Sequence, residues 1–333
     1  MKKLIGLTLF LVVLYLAVLA GLWMSSGTGG QAPQTEEEIG VFFNKVQANN
    51  YNLMKRAGLF GIITLGAGLL IVTGGIDLSI GSVVGLSATA LAILLGEWNW
   101  HPVMACTAVL LLGATIGLVQ GGLVTWLRLQ PFVVTLCGLF IFRGAARWIS
   151  GDQVKGLGAG FGEMKSLLYR GDILGMPKFL VIFLILAAVF GILLHWSIYG
   201  RYWFAIGGNE RAALYSGVPT QRYKLAAYVI CSTLAAGFGI LFLMEQNSAL
   251  PSQTGSFFEL YAIAGAVLGG FSLRGGEGNI FGILVGTAIL VILPNFTNMW
   301  GVKTELEYTV IGSALLFGAV MDELLRRRVA KQG

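Results

Sequence analysis

The strongest constraint on this chain is the recurrence of apolar runs long enough to cross a bilayer. A helix needs about 20 such residues to span a hydrocarbon core of about 30 Å. Candidate spans occupy roughly residues 4–24, 53–73, 80–96, 103–125, 132–149, 178–198, 223–244, 258–272, 279–295 and 306–324. Only 11% of the 333 residues are charged and 56% are hydrophobic, against about 25% charged in soluble domains. The sequence therefore reads as an all-α integral membrane protein, polytopic, with about ten transmembrane helices, some of them short, broken and Gly-rich. No polar stretch is long enough to build a second core outside the membrane.

The chain divides by charge and composition. Residues 1–52 read as a first transmembrane helix followed by an external linker rich in Gly, Ser and Gln that leads into an acidic start of structure. The apolar core of that helix, about 20 residues, exceeds the 7–15 of a cleaved signal peptide. Residues 53–325 form the main membrane domain, and residues 326–333 a basic tail. Arg326, Arg327 and Arg328 after the last span, and the basic loop from Tyr199 to Lys224, place both termini in the cytoplasm by the positive-inside rule. Residues 150–177 are expected to form a small structured loop on the outside. The net charge of +6 is scattered over segment ends, which argues for membrane topology and against nucleic acid. Cys106, Cys137 and Cys231 lie inside apolar segments and read as packing residues.

Enzyme chemistry finds no residue set to rest on. The chain has no Gly-Lys dipeptide and so no phosphate-cradling loop for ATP. His101 and His195 stand alone at segment ends, without metal-ligand spacing.

Two short stretches carry more information. In Thr73-Gly-Gly-Ile-Asp-Leu-Ser-Ile-Gly-Ser82 a single acid interrupts membrane-grade sequence. Gly74 and Gly75 end one helix, and Asp77 is placed to accept from the backbone N–H groups of Ser79 and Ile80 as helix restarts at Ser79. A helix break at membrane depth survives only where protein or a water-filled cavity satisfies it, which puts this one at a gate or a pathway. Its role is capping, with direct substrate contact as the alternative. Residues 267–282 echo residues 72–85 in their paired glycines, a sign of an internal repeat. The second stretch is the loop from Gly200 to Lys224. Asn209 can cap a short helix through Glu210, Arg211, Ala212, Ala213 and Leu214, ended by Ser216 and Gly217 before Pro219. Such a helix serves equally as a docking element or a connector.

Three stretches together, residues 70–88, 205–218 and 259–290, resemble in order and spacing the signatures of the permease subunits of sugar ATP-binding cassette importers, the ribose, xylose, arabinose and galactoside group. The resemblance covers roughly residues 50–325 and disfavours the related branched-chain amino-acid permeases. Tyr261, Phe271 and Arg274 stand where that group commonly has an acid or smaller residues. The resemblance implies a pore made by two permease chains, identical or related. A periplasmic or lipid-anchored binding protein delivers the sugar, and separate ATPase subunits carry ATP and magnesium, so this chain needs no cofactor of its own. It also implies that the 209–217 helix is the coupling helix that enters a groove on the ATPase, in a bacterial inner membrane.

A sugar pathway needs hydrogen-bonding side chains and aromatic faces. Glu245, Gln246 and Asn247 after the seventh span, and Asn295, Asn298 and Trp300 after the ninth, are candidates. Arg143 and Glu259 are costly to embed, at about 2.5–3.5 kcal/mol each at the bilayer centre, and are expected to pair with one another. The alternative function is an ion-coupled secondary transporter with Asp77 or Glu259 as the proton or cation site.

Overall fold

The computed structural model describes residues 2–27, 32–157 and 161–303, with scattered positions from 306 to 316. Among the described residues the helices are α1 (Lys2–Met24), α2 (Glu36–Val72), α3 (Ile80–Gly96), α4 (Pro102–Thr125), α5 (Pro131–Ser150), α6 (Gly162–Leu168), α7 (Lys178–His195), α8 (Ile198–Gly208), α9 (Glu210–Tyr215), α10 (Thr220–Gln246), α11 (Phe258–Leu268) and α12 (Ile280–Met299). Seven of them, α1, α2, α4, α5, α7, α10 and α12, are long and apolar enough to cross a membrane. Two expected spans, 80–96 and 258–272, are shorter apolar helices, α3 and α11. Most of the tenth, 306–324, lies outside the described residues.

Two sequence expectations need correction. The linker assigned to residues 25–52 is helix from Glu36 onward, because Thr35 and Glu38 form a capping box: Glu38 N–H donates to Thr35 Oγ1 at 3.2 Å, and Thr35 N–H donates to Glu38 Oε2 at 3.2 Å. That box starts a 37-residue helix, and the boundary drawn at residue 52 falls inside it. The loop after residue 198 is likewise helix, α8, begun by Ser197, whose side chain accepts from Gly200 N–H.

The core lies where helices are apolar on every side. The half of α2 from Gly58 to Val72 is buried apart from Phe60, and it packs with Phe179 and Phe183 of α7 and Tyr228 and Phe238 of α10. A helix without a polar face is buried all round. By contrast α5 turns Phe140, Ile141 and Trp148 outward, as a bundle facing lipid should.

Helix directions follow from paired neighbours. Along α2, Phe60 meets Phe238, Gly66 lies against Cys231 and Gly75 near Tyr228, so α2 and α10 are antiparallel. Along α3, Val84 and Ala88 lie near Gly239, and Leu91 and Leu95 join Leu243 and Met244, so α3 runs with α10. The stretch 73–79 is therefore a reversal of direction between α2 and α3 rather than a gap in one straight helix.

At the end of the bundle opposite α9, two short antiparallel pairings order the segment after α5. Strand β1 (Lys155–Gly156) pairs with β4 (Ser248–Ala249), and β2 (Asp172–Ile173) with β3 (Met176–Pro177).

Candidate functional site

The reversal at 73–79 begins with a Schellman cap. Gly74 N–H donates to Ile71 O at 2.9 Å and Gly75 N–H to Leu70 O at 3.1 Å, with Gly74 at φ +77°. The same closure recurs at the end of α11: Gly270 N–H reaches Val267 O at 2.9 Å, Phe271 N–H reaches Ala266 O at 3.0 Å, and Gly270 sits at φ +92°. In both cases the chain then returns as a new helix, α3 or α12. The sequence echo is thus a repeated helix–cap–helix turn, shifted by one residue from the alignment of glycine pairs, since Gly74 corresponds to Gly270.

Asp77 is 2% exposed and works on the first turn of α3. Its Oδ1 accepts from Ser79 N–H at 2.7 Å and from Ser79 Oγ–H at 2.6 Å. The expected bond from Ile80 N–H is absent, because Ser79, not Asp77, occupies the N-cap position, with φ −89° and ψ −7°. Gln120 Nε2 donates to Ser79 Oγ at 2.9 Å, and Cys231 Sγ lies 4.0 Å from Asp77 Oδ2. Among the described residues no cation stands within ion-pair distance of Asp77.

Buried Glu259 and half-buried Arg143 meet the start of α3 as well. Arg143 of α5 donates through Nη1 to Pro251 O at 3.2 Å and, closely, to Thr254 O. These carbonyls precede α11, where the turns 250–257 replace regular helix. Irregular backbone in a membrane must be satisfied by protein, and a guanidinium with five donors can serve two carbonyls at once. The expected Arg143–Glu259 contact does not close to ion-pair distance, although each group feels the other's charge; Arg143 Nη1 bonds the two carbonyls instead. Glu259 instead lies against the first turn of α3, where a Cβ on Gly81 would collide with its Oε2 and with Gly255 O. Gly85, one turn on, leaves room for Arg143 Nη1.

At the other candidate, α9 forms as the sequence requires. Asn209 Oδ1 accepts from Ala212 N–H at 3.0 Å, and Gly217, at φ +85°, closes a third Schellman cap with Val218. Glu210 pairs with Lys224 at 2.9 Å. Ala213 is 5% exposed and packs with Ile206 and Val218, so it faces the bundle rather than an outside partner. The outward face consists of Arg211, Ala212, Leu214 and Tyr215, the last 88% exposed. Beside it opens a groove of about 600 Å³ whose lining includes Arg128, Arg211, Leu214, Arg222 and Lys224.

The far end of the bundle holds a polar cavity of about 380 Å³ between α2, α10 and α12, lined by Asn49, Asn52, Lys55, Arg56, Glu245, Asn295 and Asn298 among others. Asn49 and Asn295 exchange amide hydrogen bonds at 3.3 and 2.7 Å, and Lys55 pairs with Glu245 at 3.1 Å. Asn247 stands apart from it, as the left-handed C-cap of α10 at φ +64°, and its carbonyl accepts from Leu157 N–H at 3.0 Å. Gln246, the last residue of α10, is exposed.

Residues 49–319 match the family described as branched-chain amino acid transport system / permease component. The chain belongs to that family. Among curated relatives, the ribose import permease RbsC of Bacillus subtilis is 36% identical over 275 residues, 82% of this chain and 84% of the relative. RbsC of Escherichia coli K12 is 36% identical over 278 residues, covering 82% and 85%. The autoinducer 2 import permease LsrD of Escherichia coli K12 is 35% identical over 263 residues, covering 77% and 78%. No solved structure matches the permease.

Sequence reasoning missed several residues of these sites. Gln120, the one side-chain amide inside the fourth span, is the signal that could have pointed to the Ser79 contact. Leu214 and Tyr215 look like ordinary apolar positions until Ala213 is seen to face inward. Lys55 gave no signal, because its partner Glu245 is 190 positions away in sequence.

Proposed function

We propose that this chain is the membrane-spanning subunit of an ATP-binding cassette importer and forms the path for a monosaccharide, a pentose or hexose. A periplasmic or lipid-anchored binding protein delivers the sugar, two permease chains make the pore, and partner ATPase subunits supply ATP and magnesium. Both termini face the cytoplasm of a bacterial inner membrane, where α9 with its neighbouring groove receives the ATPase. The observation that carries the reading is the 36% identity over 82% of the chain to ribose import permeases.

In this reading the polar cavity at the far end receives the sugar. Its volume of about 380 Å³ falls in the range of about 300–1,000 Å³ typical of small-molecule sites, and its amides offer the paired donors and acceptors that hydroxyl groups need. Gln246, exposed at the end of α10 next to Glu245, is a further hydrogen-bonding group on this reading. Deeper in, Arg143 and Glu259 line the path beside the start of α3. Gly74, Gly75, Asp77 and Ser79 form the gate, with Asp77 holding the restart of α3 in shape.

The experiment is uptake by proteoliposomes holding the permease with its cognate ATPase and binding protein, against a panel of pentoses, hexoses and autoinducer 2. The expected result is uptake of one of the monosaccharides that stops when ATP is withheld. Uptake driven by an ion gradient with no ATPase present would overturn the reading.

A further inference from the structure

Resting on the reading of α9 as the ATPase-docking helix, we infer that Gly207 is a positioning residue for transport: it joins α8 and α9 by bare backbone to both helix–cap–helix turns. α8 and α9 share one residue at their junction. Asn209 donates its N–H to Ala205 O at 3.0 Å and caps α9 with its side chain. Trp203 Nε1–H donates to Tyr223 O at 2.9 Å, fixing α8 to the start of α10. A displacement of α9 is therefore carried to the end of α8.

That end lies between the two turns. Gly276 N–H donates to Val72 O at 2.9 Å, linking the loop after the second Schellman cap to the last residue of α2. A Cβ on Gly207 would collide with both Val72 O and Gly276 N. From the other side, a Cβ on Gly275 would stand 2.9 Å from Gly207 O and 2.9 Å from Gly74 N. Three strands of main chain thus touch with no side chain between them. Side chains absorb displacement by changing rotamer, whereas packed backbone passes it on. A push on α9 consequently reaches α2–α3 and α11–α12 together, through turns closed in the same way.

Gly208 supplies the control. It is the next residue of the same helix, yet a Cβ there meets nothing within 4 Å. In the reconstituted importer, Gly207→Ala should still assemble with the ATPase and hydrolyse ATP, while sugar moved per ATP falls about tenfold or more, a typical scale for lost coupling. Gly208→Ala should match the native ratio. A native ratio in Gly207→Ala overturns the inference. The uptake of the native importer reads the proposed function; the ratio between the two variants reads the junction.

If Gly207→Ala fails to assemble, a distance measurement on the otherwise native importer decides. Spin labels go at Arg201→Cys and Leu273→Cys, both exposed positions, in a background with Cys106→Ser and Cys137→Ser. The junction predicts that their separation holds within about 2 Å, the size of small helix shifts, between nucleotide-free and vanadate-trapped states of an importer that cycles ATP. Any larger change overturns it.

Discussion

Ser79 gives two hydrogen bonds to one oxygen of Asp77, from its backbone N–H at 2.7 Å and its hydroxyl at 2.6 Å. The acid therefore serves the first turn of α3 as an acceptor, and an amide oxygen can do the same. Asp77→Asn should keep the fold and most uptake, whereas Asp77→Leu leaves the buried N–H of Ser79 unpaired at a cost of about 1–3 kcal/mol and lowers both. Thermal unfolding in detergent and sugar uptake measure the two effects. A stable Asp77→Asn protein that no longer transports would assign the carboxylate to substrate or ion contact instead.

Arg143 and Glu259 should differ in what their removal costs. Arg143→Met orphans the carbonyls of Pro251 and Thr254 and is expected to lower stability by about 1–3 kcal/mol. Glu259→Gln leaves those carbonyls held and should cost less. A larger fall in melting temperature for Glu259→Gln would mean that Arg143 is positioned by charge rather than by its carbonyl contacts.

Two glycine-to-alanine changes should have opposite signs. At Gly81 the new methyl meets Gly255 O and Glu259 Oε2, and overpacking of this kind costs about 1–3 kcal/mol. At Gly144, inside α5, nothing lies within 4 Å, so the higher helix propensity of alanine should stabilise by up to about 1 kcal/mol. Unfolding of both variants in the same detergent gives the comparison, and equal shifts would contradict the close approach of α3 to the turns before α11.

The faces of α9 can be separated in the same manner. Tyr215→Asp, at a position 88% exposed, should abolish co-purification of the ATPase and leave the melting temperature unchanged. Ala213→Asp buries an unpaired charge and should lower stability before any question of docking arises. Retained ATPase capture by Tyr215→Asp would move the docking surface elsewhere.

At the far end, Asn295→Ala breaks the amide exchange with Asn49 and should cost about 1 kcal/mol of stability. Asn298→Ala touches only the cavity and should reduce uptake at low sugar concentration without a change in melting temperature. An unaffected uptake curve in the Asn298 variant would remove the cavity from the sugar's path.

Much of this arrangement is legible from the sequence because it is local. The spans show as unbroken apolar runs, and the cap of α9 shows in Asn209 and Gly217, three residues from the groups they bind or less. What escapes is whatever depends on distant neighbours. The pairing assigned to Arg143 and Glu259 followed from the cost of burying lone charges, yet backbone carbonyls freed by the irregular turns before α11 satisfied the arginine first. The acidic run after Thr35 reads as a start of structure, but its polarity hides that the helix begun there continues unbroken into the second span. The reversal between α2 and α3 could not be told from a break in one helix, since a Schellman cap and an N-terminal turn look the same in either arrangement.

The 37 residues of α2 make a rod of about 55 Å, nearly twice the hydrocarbon thickness of about 30 Å, and no proline interrupts it. Glu36, Glu37 and Glu38 begin it at the end away from α9, braced on α1 by Tyr15, whose hydroxyl donates to Asn50 Oδ1 at 2.8 Å. Its other tip is Val72, whose carbonyl receives Gly276. From its acidic tip to the carbonyl that meets the glycine junction, α2 is one continuous helix, so a load applied at either end crosses no loop on its way to the other.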